Sequence, residues 1–450
     1  MGVSSVQGGD SLRARGSTKL WTSASSPGAD ASNTFSITRI FIISYAISYF
    51  LLPLAAYVDE AWAGTPTLFE RSQVPGGVLL AAVGLLAFLH GYKFNCWNAF
   101  TMQFSTPRPE YLSRITARRD RLWIMWIITA SGLLVILVYF YLQYSDALFS
   151  YQGAELWRGQ GVTVNVYITL STFSSVLALL LFKLCRSKVI IPIQAVLLLV
   201  AGGGSRGQLG CFLVAFAVTS GHGVVLSSRA AFKTLFRYVA LGLVLVLLGL
   251  ALVFVRSSAS TNAYNVRRAV LATFGEGQMF ALVRSYYADH LLYGQTIADI
   301  RYVFLPRQIF PDKPWTYGKA RFEEALGLDR LYGENNHSSS TFGMLSELYA
   351  NFGVFGIILG MVCWGWFYAF LERLRKTPAE SLGFFVYLNL CMFQFWPFRH
   401  GLLGLVQVLT VPTLFAPIIL QITYMKQTAE TARLQAARSS PGRVRSALAG

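Results

Sequence analysis

The sequence predicts an all-α integral membrane protein with about ten transmembrane helices and one large, partly helical loop on the outer side. Three observations carry this. Charged residues make up 13% of the chain and hydrophobic ones 54%, whereas a soluble domain carries about 25% charged residues. Many apolar runs approach or exceed the roughly 18 residues that mark a membrane-crossing helix. Lysine and arginine, finally, gather on alternate short connections, as the positive-inside rule requires. An ordinary soluble enzyme is excluded. The net charge of +17 is orientation charge, with some contact to anionic lipid heads, and implies no nucleic-acid partner.

Apolar runs bounded by charge place spans at 38–58, 76–94, 122–142, 162–182, 189–202, 208–227, 238–255, 342–371, 382–398 and 401–425. Basic clusters precede the first span (Arg13, Arg15, Lys19) and follow the second (Arg114, Arg118, Arg121), fourth (Lys183, Arg186, Lys188), sixth (Arg229, Lys233, Arg237), eighth (Arg373, Arg375) and tenth (Arg433, Arg438). The opposite short connections hold only Arg71, Arg158, Arg206 and Arg399, so both termini are expected in the cytoplasm. The resulting division is a disordered cytoplasmic tail at 1–36, helices one to seven at 37–255, a large outer loop at 256–341, helices eight to ten at 342–425, and a basic cytoplasmic tail at 426–450. The first 36 residues are polar and rich in Ser, Gly and Ala, where a signal peptide would carry an apolar core. The five cysteines form no CxxC or Cys/His spacing and read as small hydrophobes in packed helices, so neither a metal site nor a disulfide framework is expected.

Four places concentrate chemistry. The outer loop runs SYYADHLLYGQTIADIRYVFLPRQIFPDKP in its middle, an amphipathic helix and then a Pro-punctuated turn, with aromatics interleaved with Arg. That pattern suits a membrane interface, or a surface on which aromatic faces pack against sugar rings. GGGSRGQ at 202–208 joins two short apolar runs and would place Arg206 below the outer surface, where a guanidinium and turn N–H groups make an anion site. Its plainer reading is a hairpin turn with Arg206 snorkelling to lipid phosphates. ENNHSSSTFGMLSELYANFGVFGIILG places His337 just before the eighth helix and Glu347 about two turns into it. Histidine acts as a base near neutral pH, and burial moves carboxylates in general toward that range. Glu347 and Asn351, four apart, share a helix face, while Gly356 and Gly360 form a GxxxG that reads as close helix packing. The plainer readings are a loop histidine bonded to backbone and a buried interhelical hydrogen bond. FRHG, last, puts Arg399 and His400 at the outer turn between the final two helices.

Absent motifs narrow the chemistry. No Walker A motif, HExxH motif or DxD-like acidic pair occurs in the sequence, and GGSRG at 203–207 has the letters of GxSxG but joins two apolar runs and is no nucleophile elbow, so the energy of any reaction is expected to reside in the substrate, as in a sugar linked to a lipid pyrophosphate. No cofactor is expected.

GQT…LPRQIFPDKPWTYG, followed by a His/Ser/Thr-rich turn and SELYANFGVFGIILGM, resembles the Wzy-type O-antigen polymerases, the oligosaccharide repeat-unit polymerase family. The likeness covers about residues 290–365, with SRG at 205–207 and Arg399 in support. It implies a metal-independent glycosyltransferase of GT-C-like architecture in the bacterial inner membrane. Such an enzyme transfers a growing glycan from undecaprenyl pyrophosphate onto the next lipid-linked repeat unit. Carried over by motif, Arg206, Arg307, Lys313 and Arg399, with His400 beside them, would bind pyrophosphate and glycan, and His337 or Glu347 would deprotonate the acceptor hydroxyl. A flippase and a chain-length regulator are the implied partners. The related ligases often carry His-Asn where Ser338 follows His337 here, and a loop carboxylate such as Asp289 is a further candidate base. The competing functions are ligase-type transfer of a finished glycan and transport of lipid-linked glycans.

Overall fold

The computed structural model describes residues 36–59, 71–93, 119–144, 162–201, 206–220, 275–298, 343–375, 377, 382–392 and 401. Among the described residues there are helices and turns and no strand. In chain order the helices are α1 Ile37–Val58, α2 Arg71–Lys93, α3 Arg119–Tyr144, α4 Val162–Cys185, α5 Ile190–Ala201, α6 Arg206–Ser220, α7 Glu276–Tyr286, α8 Gln295–Ala298, α9 Met344–Arg375 and α10 Leu382–Cys391. Five of them (α1, α2, α3, α4 and α9) are long and apolar enough to cross a membrane, and α5 and α6 contain shorter apolar helices. The chain is therefore a helical protein built for a membrane. The expected spans at 238–255 and, apart from Gly401, 401–425 lie outside the described residues.

Helix α1 carries a π turn at Ile47–Leu51 immediately before Pro53. Proline lacks an N–H and its ring crowds the carbonyl four residues back, so the wider turn accommodates it. An aromatic cluster joins α1 to α2 and α9: Phe41 lies 4.5 Å from Phe88 and 4.6 Å from Tyr368, ring centre to ring centre. The Tyr45 hydroxyl donates to the Ala81 carbonyl at 2.7 Å. Two glycines let α2 and α9 touch through backbone, since a Cβ on Gly91 would strike the Val362 carbonyl and one on Gly365 the Phe88 carbonyl. At the Lys93 end of this group Glu372 accepts from the Thr38 N–H (3.4 Å) and hydroxyl (3.2 Å) and pairs with Arg375 at 2.8 Å. All three side chains are buried, so the extra hydrogen bonds help offset the desolvation of the ion pair.

A second group surrounds α4. Trp126 of α3 donates its indole N–H to Gln194 Oε1 of α5 at 2.9 Å, and the Gln194 amide donates to Ser174 Oγ of α4 at 2.8 Å. Gln194 has no exposed surface. One amide thus ties three apolar helices where lipid supplies no hydrophobic drive for their association. Phe182–Phe216 and Phe173–Phe385 edge contacts attach α6 and α10 to the same helix.

Helix α9 differs from the single straight crossing that 342–371 was expected to be. Gly353 has φ 61° and ψ −145° inside it, a conformation essentially confined to glycine. Around that residue the chain folds back. A Cβ on Gly84 would lie 3.2 Å from Ile357 and 3.4 Å from Leu345, two residues that a continuous helix would hold about 18 Å apart along its axis. The Leu348 carbonyl abuts Gly356, and the Leu348 side chain reaches within 2.5 Å of a Cβ built on Gly360. Residues 344–352 are thus a short arm laid antiparallel on residues 354–375, the long arm. The GxxxG motif does receive a close neighbour, but that neighbour is the other arm of the same hairpin.

Candidate functional site: a buried carboxylate at the helical hairpin

The described part of the expected outer loop, residues 275–298, wraps the hairpin. Its helix α7 seats beside the π turn, where Gly277 meets the Ser48 carbonyl so closely that a Cβ would overlap it. Phe280 of α7 sits between Tyr49, at 6.1 Å, and Tyr349 of the short arm, at 6.2 Å, both edge-on. Glu276, at the start of α7, is completely buried. Beyond α7 the chain turns at Tyr293 and Gly294, both at positive φ, and a Cβ on Gly294 would lie 3.2 Å from the ring of Phe352 at the tip. The Leu292 N–H donates to the Ala350 carbonyl at 2.8 Å, supplying a partner to one of the carbonyls that the end of the short arm leaves open.

Those contacts deliver Thr296, in the single turn of α8, onto the short arm. Its hydroxyl donates to Glu347 Oε1 at 2.9 Å. Asn351 Nδ2 donates to Thr296 Oγ1 at 2.6 Å and to the Glu347 carbonyl oxygen at 2.7 Å, and Asn351 Oδ1 accepts the Thr296 N–H at 3.4 Å. Thr296 and Asn351 have no exposed surface and Glu347 is 5% exposed. From a third part of the sequence comes Gly401, at φ 64°, which packs on the other carboxylate oxygen so tightly that a Cβ there would overlap Glu347 Oε2. A buried carboxylate in such a cluster is a candidate proton acceptor, as general bases commonly are carboxylates positioned by hydrogen bonds.

Glu347 and Asn351, read from the sequence as sharing a helix face, are bridged by Thr296, a residue that carried no periodicity signal and stands in the GQT stretch. Glu347 lies in the first turn of its helix rather than two turns in, because the helix begins at Met344. Arg206 opens α6 at its first residue. His337, Arg307, Lys313, Arg399 and His400 lie outside the described residues, although Gly401 is the next residue after His400. Asp289 is exposed in the turn that follows α7 and is not part of this cluster.

Gly401→Ala tests the convergence. The added methyl forces the carboxylate away and places a non-glycine residue at positive φ, a conformation costing about 1 kcal/mol. Membrane levels on an immunoblot should stay within about twofold of wild type while any reaction that uses this carboxylate falls on the order of 10-fold in rate, the share expected when a reacting group is displaced by an ångström or less. Wild-type turnover would show that Gly401 does not set the carboxylate.

No family model matches the chain, and neither a characterised protein nor a solved structure is significantly similar to it.

Proposed function

We propose that this protein polymerises oligosaccharide repeat units carried on undecaprenyl pyrophosphate, at the outer face of a bacterial inner membrane, as a metal-independent glycosyltransferase. The observation that supports the reading is the meeting at Glu347 of three separate stretches singled out in the sequence: GQT through Thr296, SELYANFG through Glu347 and Asn351, and FRHG through Gly401. In this reading the chain crosses the membrane about ten times in a GT-C-like arrangement with both termini in the cytoplasm, and the segment 256–341 lies in the periplasm.

The reaction follows from those roles. A hydroxyl of the incoming lipid-linked unit attacks the anomeric carbon of the growing chain. The bond from that carbon to the pyrophosphate oxygen breaks, and undecaprenyl pyrophosphate leaves with the electron pair. Glu347, or His337, takes the hydroxyl proton. In this reading Arg206, Arg307, Lys313, Arg399 and His400 bind the leaving group, whose developing charge fixed cationic groups stabilise strongly in a partly dehydrated site. Arginine suits the task because its planar fork grips two oxygens and never loses its charge. A flippase would supply the substrate, and a separate partner would set chain length.

A strain deleted for this protein should convert a surface-glycan ladder into a single repeat on its final acceptor, and the wild-type copy should restore the ladder. Long lipid-linked chains accumulating instead would identify a ligase. Precursor trapped on the cytoplasmic side would identify a flippase, and an unchanged ladder would remove glycan assembly altogether.

A further inference from the structure

We infer that Thr296 is a positioning residue for Glu347: its hydroxyl holds the carboxylate in one orientation, so that Oε1 is occupied as a hydrogen-bond acceptor and Oε2 is turned toward Gly401. This rests on the reading of Glu347 as the base.

The direction of each hydrogen bond follows from the chemistry of the groups. Asn351 Nδ2 has two protons, and both are placed, one on the Glu347 carbonyl and one on Thr296 Oγ1. Its Oδ1 faces the Thr296 N–H, which fixes the amide the right way round. Threonine Oγ1 therefore accepts from Asn351 and has its single proton left to donate, and the acceptor within reach is Glu347 Oε1 at 2.9 Å. The arrangement is a one-way relay from Asn351 through Thr296 to the carboxylate, and it is buried throughout. Burial makes each link stronger than it would be in water and makes a missing partner more costly.

The relay also spans two parts of the chain that lie far apart in sequence. Asn351 and Glu347 are one turn apart on the short arm, whereas Thr296 arrives from the segment after α7. Its arrival depends on the Leu292 to Ala350 hydrogen bond and on the turn at Tyr293 and Gly294. The Thr296 hydroxyl therefore reaches the carboxylate only when that strap lies on the hairpin. Without the strap, Glu347 would keep its place on the helix but lose the Thr296 hydrogen bond.

The experiment uses the full-length protein in proteoliposomes, supplied with the lipid-linked repeat unit extracted from the deletion strain. Thr296→Val keeps the shape and removes the hydroxyl; Thr296→Ser keeps the hydroxyl and removes a methyl. Thr296→Val should lower kcat on the order of 10-fold with KM within about twofold, and Thr296→Ser should restore at least half of wild-type kcat. Both variants should elute from size exclusion as wild type does. A packing role alone would instead spare Thr296→Val and impair Thr296→Ser, or give a loss tracking thermal stability, and either result overturns the inference. Glu347→Gln, run in parallel, separates this from the reading beneath it. Full activity in Glu347→Gln removes the base assignment, whereas an inactive Glu347→Gln beside a wild-type Thr296→Val leaves that assignment standing and removes Thr296 from it.

Discussion

On the proposed reading, Glu347→Gln should lower the rate of glycan extension by about 10²- to 10⁴-fold, the contribution that a positioned general base makes to proton transfer. Glutamine has nearly the same shape, and its amide oxygen can still accept the Thr296 hydroxyl, so the hairpin and its relay should persist. What the substitution removes is the capacity to take a proton. The check is the initial rate at which purified protein in proteoliposomes consumes lipid-linked repeat units, alongside thermal unfolding in the same detergent used for purification. An unfolding midpoint close to wild type with the rate collapsed would assign the effect to chemistry. A rate within about twofold of wild type would exclude Glu347 as the base and leave His337 or a loop carboxylate such as Asp289 as the candidates. The position makes this the decisive substitution, because Glu347 is the carboxylate on which the GQT, SELYANFG and FRHG stretches converge.

Gly353→Ala should have the largest structural effect. At φ 61° and ψ −145° a Cβ is strained by about 1 to 3 kcal/mol, and alanine is also the best helix former. Both effects favour a straight helix over the hairpin. Straightening would carry Leu348 away from Gly356 and Gly360 and withdraw Glu347 from Thr296. Proximity of the arms can be read directly with Leu348→Cys and Gly360→Cys in a chain whose native cysteines are replaced by Ala or Ser. Oxidation should link the pair in high yield on the wild-type hairpin, detected as a bridged peptide by mass spectrometry. Adding Gly353→Ala should reduce that yield at least severalfold. No bridged peptide from the parent pair would mean that α9 is one straight rod, because residues twelve apart on such a rod are separated by about 18 Å.

The membrane class was legible at once because it depends on composition and run length, quantities that need no tertiary information. An apolar run such as LLAAVGLLAFLHGY forms a helix in lipid whatever surrounds it, since every backbone polar group must be satisfied within the segment. Glu347 stood out for a related reason: an ionisable residue inside an apolar stretch has no cheap explanation. Thr296 had no such mark. Threonine is common and uncharged, and its importance comes from a hydrogen bond to a residue 51 positions away. The fold-back at Gly353 was hidden because the apolar pattern continues unbroken through SELYANFGVFGIILG. Hydropathy sums along a chain and does not register a reversal of direction. GxxxG likewise announced a close neighbour without naming it.

By itself the sequence determined that this is a helical chain suited to a membrane, and which few polar residues its apolar segments tolerate. Both follow from local terms, namely transfer energy and the obligatory pairing of backbone groups. Only the tertiary structure decided that Met344–Arg375 doubles back, that a strap from the segment after α7 lies across it, and that Thr296, Glu347, Asn351 and Gly401 share one buried cluster. Those outcomes depend on a single glycine's backbone angles and on hydrogen bonds between distant residues, and their energies exist only once the helices have packed.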